Sequence, residues 1–387
     1  MLELIPTHLL YTGMGLPQEN AAVVFSEDTI AATGPLEELR RSYPYALERP
    51  TAQVIAPPPL NAHTHLDMSS LPFNPLGYTE WVGWVIQNSS SRNLDSAMLG
   101  LKLLKRPPLS GFGDIVARAE VMRYLLSEVD RPGVAYWEVL GPNPDDAERI
   151  FNETVAKVRE FRALERPGFV RLGLTPHTAH TVSGVLLQKL VGFARAENLP
   201  LQIHIAESPD EWQLFQSGTG KLAETMERVF AKSITQILGT EPNASLTPVG
   251  QLERLGILEA RPTLIHAVHV TEKDVQNIAR AGCPVVTCPR SNAALECGIF
   301  DWPLFARYGV EVGIGTDSIA SGESLNVLDE IKFARALYGE RVPLKTLVRA
   351  AVKGGSRALG LQSPIVRRGD ARAGLMDWTG FLALSNE

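Results

Sequence analysis

Two histidines separated by one residue, His63 and His65, are the first sign of chemistry in this sequence. They follow an apolar, proline-closed run over residues 54–60, which predicts that they end a buried strand. Because side chains alternate faces along a strand, both imidazoles lie on the same side. Neutral imidazole is the commonest metal ligand among side chains, so the pair predicts half of a divalent-metal site. A His-x-His pair also occurs by chance in polar loops, and the other ligands must come from elsewhere in the chain.

Other side chains of the ligand type stand at or just beyond further strand-like runs: His177, His204, Glu207, His266 and Asp317. Taken singly, each has an ordinary explanation. A buried histidine often satisfies a core hydrogen bond, and an aspartate after Gly-Thr suits a helix N-cap. Their equivalent positions favour one shared metal site. His269 is the ambiguous case, and His8 and His180 are interpreted as bystanders.

From about residue 58 onward, strand-like runs alternate with amphipathic helical stretches, which is typical of βα units around a parallel sheet. The runs lie near 63 and at 113–116, 134–139, 170–174, 201–205, 263–266, 284–287 and 310–315, and the helices at 147–164, 185–197, 271–281 and 325–337. About eight strands predict an α/β fold of the (β/α)₈ TIM-barrel type, whose functional side chains lie at the C-terminal strand ends. A doubly wound sheet stays open, although no Gly-x-Gly-x-x-Gly follows any of these strands.

Residues 1–57 read differently, with short strands predicted over 21–25 and 29–33 and a brief helix over 36–43. This is too little material for a separate core, so we expect it to pair with another β segment.

The composition limits the partners. The 387 residues carry 37 Lys and Arg against 43 Asp and Glu, a net charge of −6, which argues against nucleic acid. No apolar run approaches the ~20 residues that span a bilayer, so no membrane partner is expected. The start lacks a basic region before an apolar core, and Cys283, Cys288 and Cys297 have no framework spacing. Buried, reduced thiols and a cytoplasmic location are therefore expected.

In chain order, the motifs resemble the metal-dependent amidohydrolase superfamily, specifically its purine and nucleoside deaminase branch. They cover almost the whole chain and comprise residues 59–67, 173–183, 204–207, 265–269, 288–292 and 315–318. His180 stands where an aromatic residue is more usual, and Pro57-Pro58-Pro59 replaces the usual proline-glycine entry. The resemblance implies a barrel over residues 58–349, and a small β-sandwich built from residues 1–57 together with 350–387.

The same resemblance implies that His63, His65, His204 and Asp317 hold one divalent ion. Three neutral nitrogens and one carboxylate suit Zn²⁺, or Fe²⁺, better than Mg²⁺. No lysine lies within residues 172–177, where a modified lysine bridges two metals in other members, so we expect a single ion.

Catalytic roles follow from the resemblance to a deaminase. Glu207 is expected to protonate the purine ring and later carry a proton to the departing ammonia, as a glutamate that is not a ligand does in other zinc deaminases. Asp317 is expected to take the proton of the attacking water, and His266 to orient the nucleophile or stabilise the adduct. His177, Ser291 and Asn292 are expected to contact substrate.

The substrate contacts are less closely defined. Glu80 and Trp81 lie in a segment that could hold ribose hydroxyls and stack on a base, or simply form an amphipathic helix. Glu138 is interpreted as a buried structural carboxylate. Candidate cations for a negatively charged 5′ substituent are Arg92, Lys102, Lys105 and Arg106.

The expected enzyme is thus a hydrolase of C–N bonds in cyclic amidines that acts on a small-molecule nucleoside. Within the branch, the chain is similar to deaminases of 6-aminodeoxyfutalosine, an intermediate of menaquinone biosynthesis. Deaminases of methylthioadenosine/S-adenosylhomocysteine or adenosine are alternatives, as are amidohydrolases of guanine or triazines. A catalytically silent scaffold is disfavoured because every expected ligand is present. By analogy with the branch, a homodimer is expected.

Overall fold

The computed structural model describes residues 1–105 and 108–382. The strands, in chain order, are β1 (Leu2–Leu10), β2 (Gln18–Ser26), β3 (Thr29–Pro35), β4 (Leu47–Glu48), β5 (Ala52–Ala56), β6 (Leu60–Thr64), β7 (Gly111–Val116), β8 (Gly133–Val139), β9 (Val170–Pro176), β10 (Gln202–Ile205), β11 (Thr263–His266), β12 (Val285–Thr287), β13 (Val312–Ile314) and β14 (Met376–Asp377).

The helices are α1 (Leu36–Ser42), α2 (Tyr78–Gln87), α3 (Leu94–Leu103), α4 (Ala119–Glu128), α5 (Ala147–Arg162), α6 (Gly184–Ala196), α7 (Pro209–Ser217), α8 (Lys221–Phe230), α9 (Ile234–Leu238), α10 (Pro248–Arg254), α11 (Glu272–Ala281), α12 (Pro289–Ala294), α13 (Trp302–Arg307), α14 (Ile319–Gly322), α15 (Val327–Tyr338), α16 (Leu344–Arg349), α17 (Gly355–Leu359) and α18 (Thr379–Leu382). A π-helical stretch, Ala350–Gly354, joins α16 to α17. Among the described residues, no helix combines the length and apolarity needed to cross a membrane.

Eight parallel strands close into the predicted barrel. Strands β6 to β9 form one four-stranded sheet and β10 to β13 a second, each in sequence order. Parallel bridges join the two halves at both seams, between Leu174 and Leu201 and between Thr64 and Asp317. At the second seam the Asp317 N–H donates to the His63 carbonyl oxygen at 3.1 Å. The fold class predicted from the alternating runs is confirmed.

Local sequence signals explain the helix boundaries. Thr271 caps α11 in a reciprocal capping box with Asp274, and Gly282 ends the helix in the left-handed conformation at φ 73°. Helix α6 buries one apolar stripe, including Leu186, Leu187 and Leu190, against the barrel core. The helices predicted over 147–164, 185–197, 271–281 and 325–337 are therefore confirmed to within a few residues.

Two long insertions lie at the C-terminal end of the barrel, and the sequence patterns gave only one part of them, the amphipathic-helix alternative around Glu80 and Trp81. Helices α2 and α3 lie between β6 and β7, and α7 to α10 lie between β10 and β11. Helices α2 and α8 pack against each other over the barrel mouth. Both insertions therefore help to form the walls of whatever site the mouth contains.

The small domain combines segments from both parts of the chain that flank the barrel. Its strands form one sheet in the order β14-β5-β1-β2-β3, with β4 also pairing with β1. Val23 and Phe25 of β2 face one cluster with Val366 and Leu375, while Val24 faces the other way toward Leu39 of α1. Within the described residues this is a single sheet covered on each face by helical or irregular chain, and a second layer of a sandwich stays a prediction.

The boundary expected at residue 350 lies too early. Residues 344–359 pack beneath the barrel, where Gly354 lies against β13 and Gly355 against Leu60 of β6. The glycine-rich composition that suggested a linker instead allows this close packing, because a larger side chain would collide with the strands.

Candidate active site

Three imidazoles and one carboxylate converge at the barrel mouth. The Nε2 atom of His204 lies 3.3 Å from Nε2 of both His63 and His65. Oδ1 of Asp317 lies 3.7 Å from Nε2 of His63 and 3.4 Å from Nε2 of His65. Donor atoms around a tetrahedral zinc ion with bonds of about 2.0–2.1 Å are spaced by about 3.3–3.4 Å. The donor set therefore fits one divalent metal ion.

Hydrogen bonds behind the imidazoles direct their lone pairs inward. Nδ1 of His63 lies 3.1 Å from Oε1 of Gln202, and Nδ1 of His204 lies 3.2 Å from the His177 carbonyl oxygen. Both oxygens can only accept, so each Nδ1 carries the proton and each Nε2 is left as an acceptor. Acceptors that face one another without a donor need a cation between them. This arrangement of outer partners is typical of metal-binding histidines.

Asp317 is held by hydroxyl groups on its other oxygen. Oδ2 accepts hydrogen bonds from the Ser291 hydroxyl at 2.6 Å and the Ser321 hydroxyl at 2.9 Å, which leaves Oδ1 facing the imidazoles. Asn292 accepts at 2.9 Å from Nδ1 of His266. Ser291 and Asn292 were predicted to contact substrate, but both are buried and neither lines the cavity described below. They position site residues instead, because the first turns of α12 carry them behind the metal ligands.

The strand ends that carry these groups leave the ordinary backbone conformations. His266, Ala267 and Asp317 have φ values of 71°, 48° and 57°, and Ala206, beside Glu207, has 52°. Non-glycine residues in this left-handed region are strained, and such residues cluster at functional sites. The bends turn His266 and Asp317 toward the barrel axis at the point where their strands end.

Glu207 and His266 face each other beside the ligand set. Oε1 of Glu207 lies 3.5 Å from Nε2 of His266, and each has a donor atom within 4.8 Å of a donor atom of Asp317. Burial, reinforced by the Asp317 and Glu211 carboxylates, holds the pKa of Glu207 well above its ordinary value. Burial also lowers the pKa of His266 to about 4. A carboxyl group that holds its proton more tightly than usual and a neutral imidazole therefore stand side by side.

Charges on the ligands follow the same physics. Burial holds the pKa of His65 and His204 well below the ordinary histidine value, so both are neutral at neutral pH. Burial alone would raise the pKa of Asp317, but the neighbouring imidazoles of His63, His65 and His266 outweigh burial and hold that pKa well below its usual range. Neutral imidazoles with an ionised carboxylate are the protonation states that metal binding requires.

A cavity of about 190 Å³ opens above these groups. Its polar floor contains His65, His204, Glu207, His266 and Asp317, and its outer wall is apolar, with α2 and α8 supplying Trp81, Val82, Val85, Ile86, Met226 and Phe230. A site with one polar and one apolar side suits a small organic molecule whose reacting atom meets the metal ligands.

The other predicted substrate contacts divide into two groups. His177 and Trp81 line the cavity, as expected for groups that contact substrate. Glu80 does not line it, since its half-exposed carboxylate binds Nζ of Lys221 at 2.7 Å. Arg92 lines the cavity, whereas Lys102 and Lys105 are exposed outside it. Arg106 lies outside the described residues.

Sequence reasoning missed one lining acid. Glu138, interpreted above as structural, ends β8 and faces the cavity with Leu140. Strand periodicity could have found it, because Glu138 shares a face with Tyr136, which lies in the barrel interior. Trp137, between them, packs outward against Phe161.

The bystander His180 and the ambiguous His269 lie apart from the converging imidazoles. His269 binds the Cys297 carbonyl oxygen at 2.6 Å rather than joining the ligand set. His180 faces Glu211 behind the cavity, with Nδ1 3.5 Å from Oε1. All three cysteines are buried free thiols, as predicted, and burial raises the pKa of Cys283 to about 12.

Comparison with known proteins agrees with this geometry. The model of the amidohydrolase family matches residues 54–365, and an imidazolonepropionase-like composite domain of bacteria matches residues 21–44. Aminodeoxyfutalosine deaminase of Deinococcus radiodurans is 50% identical over 95% of this chain and 88% of its own length. The 5-methylthioadenosine/S-adenosylhomocysteine deaminase of Carboxydothermus hydrogenoformans is 25% identical over 80% of this chain and 68% of its own.

A solved structure shows the same fold. Helicobacter pylori aminofutalosine deaminase in complex with methylthio-coformycin superimposes with a TM-score of 0.73 at 20% identity. The match covers 96% of this chain and 90% of the other.

Proposed function

The chain belongs to the amidohydrolase family, and we propose that it hydrolytically deaminates a 5′-modified adenine nucleoside, aminodeoxyfutalosine, with release of ammonia. One observation carries the chemistry: the buried Glu207 carboxyl group, its pKa raised, lies 3.5 Å from His266 in the same cavity as His65, His204 and Asp317, which converge with the fully buried His63. The 50% identity to a deaminase of that name, over almost the whole chain, supports the substrate.

We propose zinc as the metal, held by His63, His65, His204 and Asp317. Three imidazole nitrogens and one carboxylate oxygen, spaced as a tetrahedral ion requires, are the basis for this choice, and Fe²⁺ is the runner-up. When bound, such an ion lowers the pKa of water toward ~7 and so supplies hydroxide at neutral pH.

The residues of the chain then transfer protons and orient the reacting groups. Asp317 accepts the proton of the attacking water through Oδ1, while its Oδ2 stays fixed by Ser291 and Ser321. Glu207 donates its proton to the purine ring nitrogen as the bond forms at C6. Neutral His266, which donates from Nδ1 to Asn292, keeps Nε2 as an acceptor that orients the nucleophile. When the C6–N bond breaks, the deprotonated Glu207 takes the proton of the hydroxyl group at C6 and passes it to the leaving ammonia, and the proton held by Asp317 then restores Glu207.

A second candidate substrate is methylthioadenosine, and one observation favours it. The outer wall of the cavity, made by Val85, Ile86, Met226 and Phe230, is apolar and suits a methylthio group. The benzoate of aminodeoxyfutalosine calls for a cation there. Among the described lining residues the cation is Arg92, which Asp67 and Glu138 already neutralise.

The deciding experiment is an ammonia-release screen with the metal-loaded protein. We expect the highest kcat/KM on aminodeoxyfutalosine, lower values on methylthioadenosine and S-adenosylhomocysteine, and none on guanine or triazines. Turnover of guanine or a triazine with none of any adenosine derivative would contradict the proposal.

The proposal extends to two properties of the whole protein. Three buried free thiols support a reducing, cytoplasmic location. A homodimer is proposed by analogy with the deaminase branch, and sedimentation of the purified protein tests it.

A further inference from the structure

Glu138 is a buried acid that forms no hydrogen bond with any of the described residues. Its side chain is 4% exposed, and it lines the cavity at the C-terminal end of β8. Within residues 1–105 and 108–382, its nearest polar neighbours are Nη1 of Arg92 at 3.6 Å and Nε2 of His177 at 3.9 Å. Both distances exceed a hydrogen bond. A buried carboxylate without such bonds is costly, unless a ligand supplies the missing donors.

The surroundings hold this carboxylate in place. Arg92 donates from Nε to Oδ2 of Asp67 at 3.0 Å, which holds its guanidinium group beside Glu138. Strand β8 is bonded on both sides, to β7 and β9, so the backbone that carries Glu138 is rigid. Arg92 therefore acts as a positioning residue for Glu138. Two carboxylates already surround it, so a third, from a ligand, would meet repulsion there.

The location relates Glu138 to one part of a nucleoside. The ring of His177 lies 5.1 Å from the ring of the metal ligand His204, and Nε2 of His177 lies 3.9 Å from Oε1 of Glu138. The reacting C6 must reach the metal ligands, and a 5′ substituent must extend toward the apolar wall. The sugar then lies between them, beside Glu138 and His177. Its vicinal hydroxyls offer two donors to a carboxylate with two free oxygens.

We infer that Glu138 is a substrate-binding and specificity residue that accepts hydrogen bonds from the 2′- and 3′-hydroxyls of ribose. The inference rests on the proposed deamination of a nucleoside. It assigns to Glu138 the contact that Glu80, bound to Lys221 outside the cavity, does not make in this structure.

Two probes that differ by one hydroxyl test the contact. Calorimetry measures the binding of coformycin and 2′-deoxycoformycin to the metal-loaded wild type and to Glu138→Gln. A hydrogen bond to a charged acceptor predicts that the wild type binds coformycin roughly 10- to 100-fold more tightly than the deoxy probe. Glu138→Gln should bind coformycin more weakly by that factor and bind 2′-deoxycoformycin as tightly as the wild type does. The ratio of the two affinities should therefore fall toward one. Glu153→Gln, the same change in an exposed ion pair with Arg149, is the matched control and should keep the ratio.

Three outcomes would overturn the inference: equal weakening of both probes in Glu138→Gln, a ratio that the substitution leaves unchanged, or loss of the ratio in Glu80→Gln instead. Equal weakening is the sign of a purely structural role, and thermal unfolding of the variant checks folding separately. If the wild type binds the probes with the predicted ratio but releases ammonia from no aminopurine, the deaminase proposal fails while sugar recognition by Glu138 stands. If the wild type binds neither probe, the inference fails.

Discussion

The two ends of the barrel are built on opposite principles. At the floor, Gly354 and Gly355 press against β13 and β6, and a Cβ on Gly354 would overlap the Val312 carbonyl oxygen. At the mouth, His266 and Asp317 hold left-handed backbone, and buried polar groups face one another. The floor gains stability from close packing, whereas the mouth holds strain and charge that packing elsewhere must offset. Changes at the mouth should therefore affect chemistry first, and changes at the floor should affect folding first.

The substitution expected to have the largest effect is Glu207→Gln, at the mouth of the barrel. Gln keeps the shape of the side chain but cannot donate the proton of a carboxylic acid, so kcat should fall by about 10²- to 10⁴-fold. Metal content and the unfolding midpoint should stay close to wild type, because Glu207 is not in the ligand set. Single-turnover kinetics and elemental analysis measure both. Wild-type turnover, or loss of the metal, would contradict the role.

The second test measures how the free energy of unfolding depends on pH, and the buried histidines at the mouth should dominate that dependence. Burial lowers the pKa of His266 to about 4 and holds His65 and His204 well below their ordinary value, near 6.5 in an unfolded chain. Below pH ~6.5 these histidines become protonated in the unfolded chain but stay neutral in the folded metal-free protein. The free energy of unfolding therefore falls as pH falls. His266 alone should contribute a loss of about 3 kcal/mol between pH 6.5 and 4.

Urea unfolding of the metal-free protein at several pH values measures this slope. A variant of the floor should show the same slope as wild type, since the titrating groups lie at the other end. Stability that rises on acidification through this range would contradict the assignment.

At the floor, Gly354→Ala should lower the free energy of unfolding by about 1–3 kcal/mol, because the added methyl group has no space against β13. The kcat of the folded fraction should stay unchanged. Gly192→Ala is the matched control: Gly192 lies on the exposed side of α6 with nothing near a new Cβ, so alanine there should stabilise by about 0.4–1 kcal/mol. Equal effects of the two substitutions would remove the distinction between the ends.

The smallest effect comes from a residue between the two ends. Gln202 is buried beneath the ligands and holds the proton on Nδ1 of His63. Gln202→Leu should weaken metal binding by about 10- to 100-fold, the usual effect of losing an outer partner, as measured by competition with a chelator. Gln188→Leu, which removes a bond to the Leu255 carbonyl oxygen at the surface, should leave metal affinity intact.

Much of this molecule could be predicted from its residues. The barrel strands follow from apolar runs, and the site residues follow because His63, His204, His266 and Asp317 stand at the ends of such runs. The sequence did not indicate the direction in which individual side chains point. Helix α2 begins at Tyr78, and successive helical residues point about 100° apart, so Trp81 enters the cavity while Glu80 faces Lys221 outside.

Other expectations differed from the structure where one residue type is typical of two different local structures. Glycines near residue 354 are equally typical of a linker and of a tight contact, and only the position of β13 distinguishes them. Ser291 and Asn292 follow a strand end, as substrate contacts often do. Their helix, α12, turns them back toward Asp317 and His266.

The seam that closes the barrel also completes the metal site, and this has a consequence for biosynthesis. The His63 carbonyl oxygen accepts the Asp317 N–H at 3.1 Å, so the first and last ligands meet only when the first and last barrel strands pair. A ribosome makes His63 and His65 early and Asp317 near the end. A chain truncated before Asp317 should leave zinc with a chelator that the full chain outcompetes. Metal uptake thus marks the moment at which a newly made chain has finished its barrel.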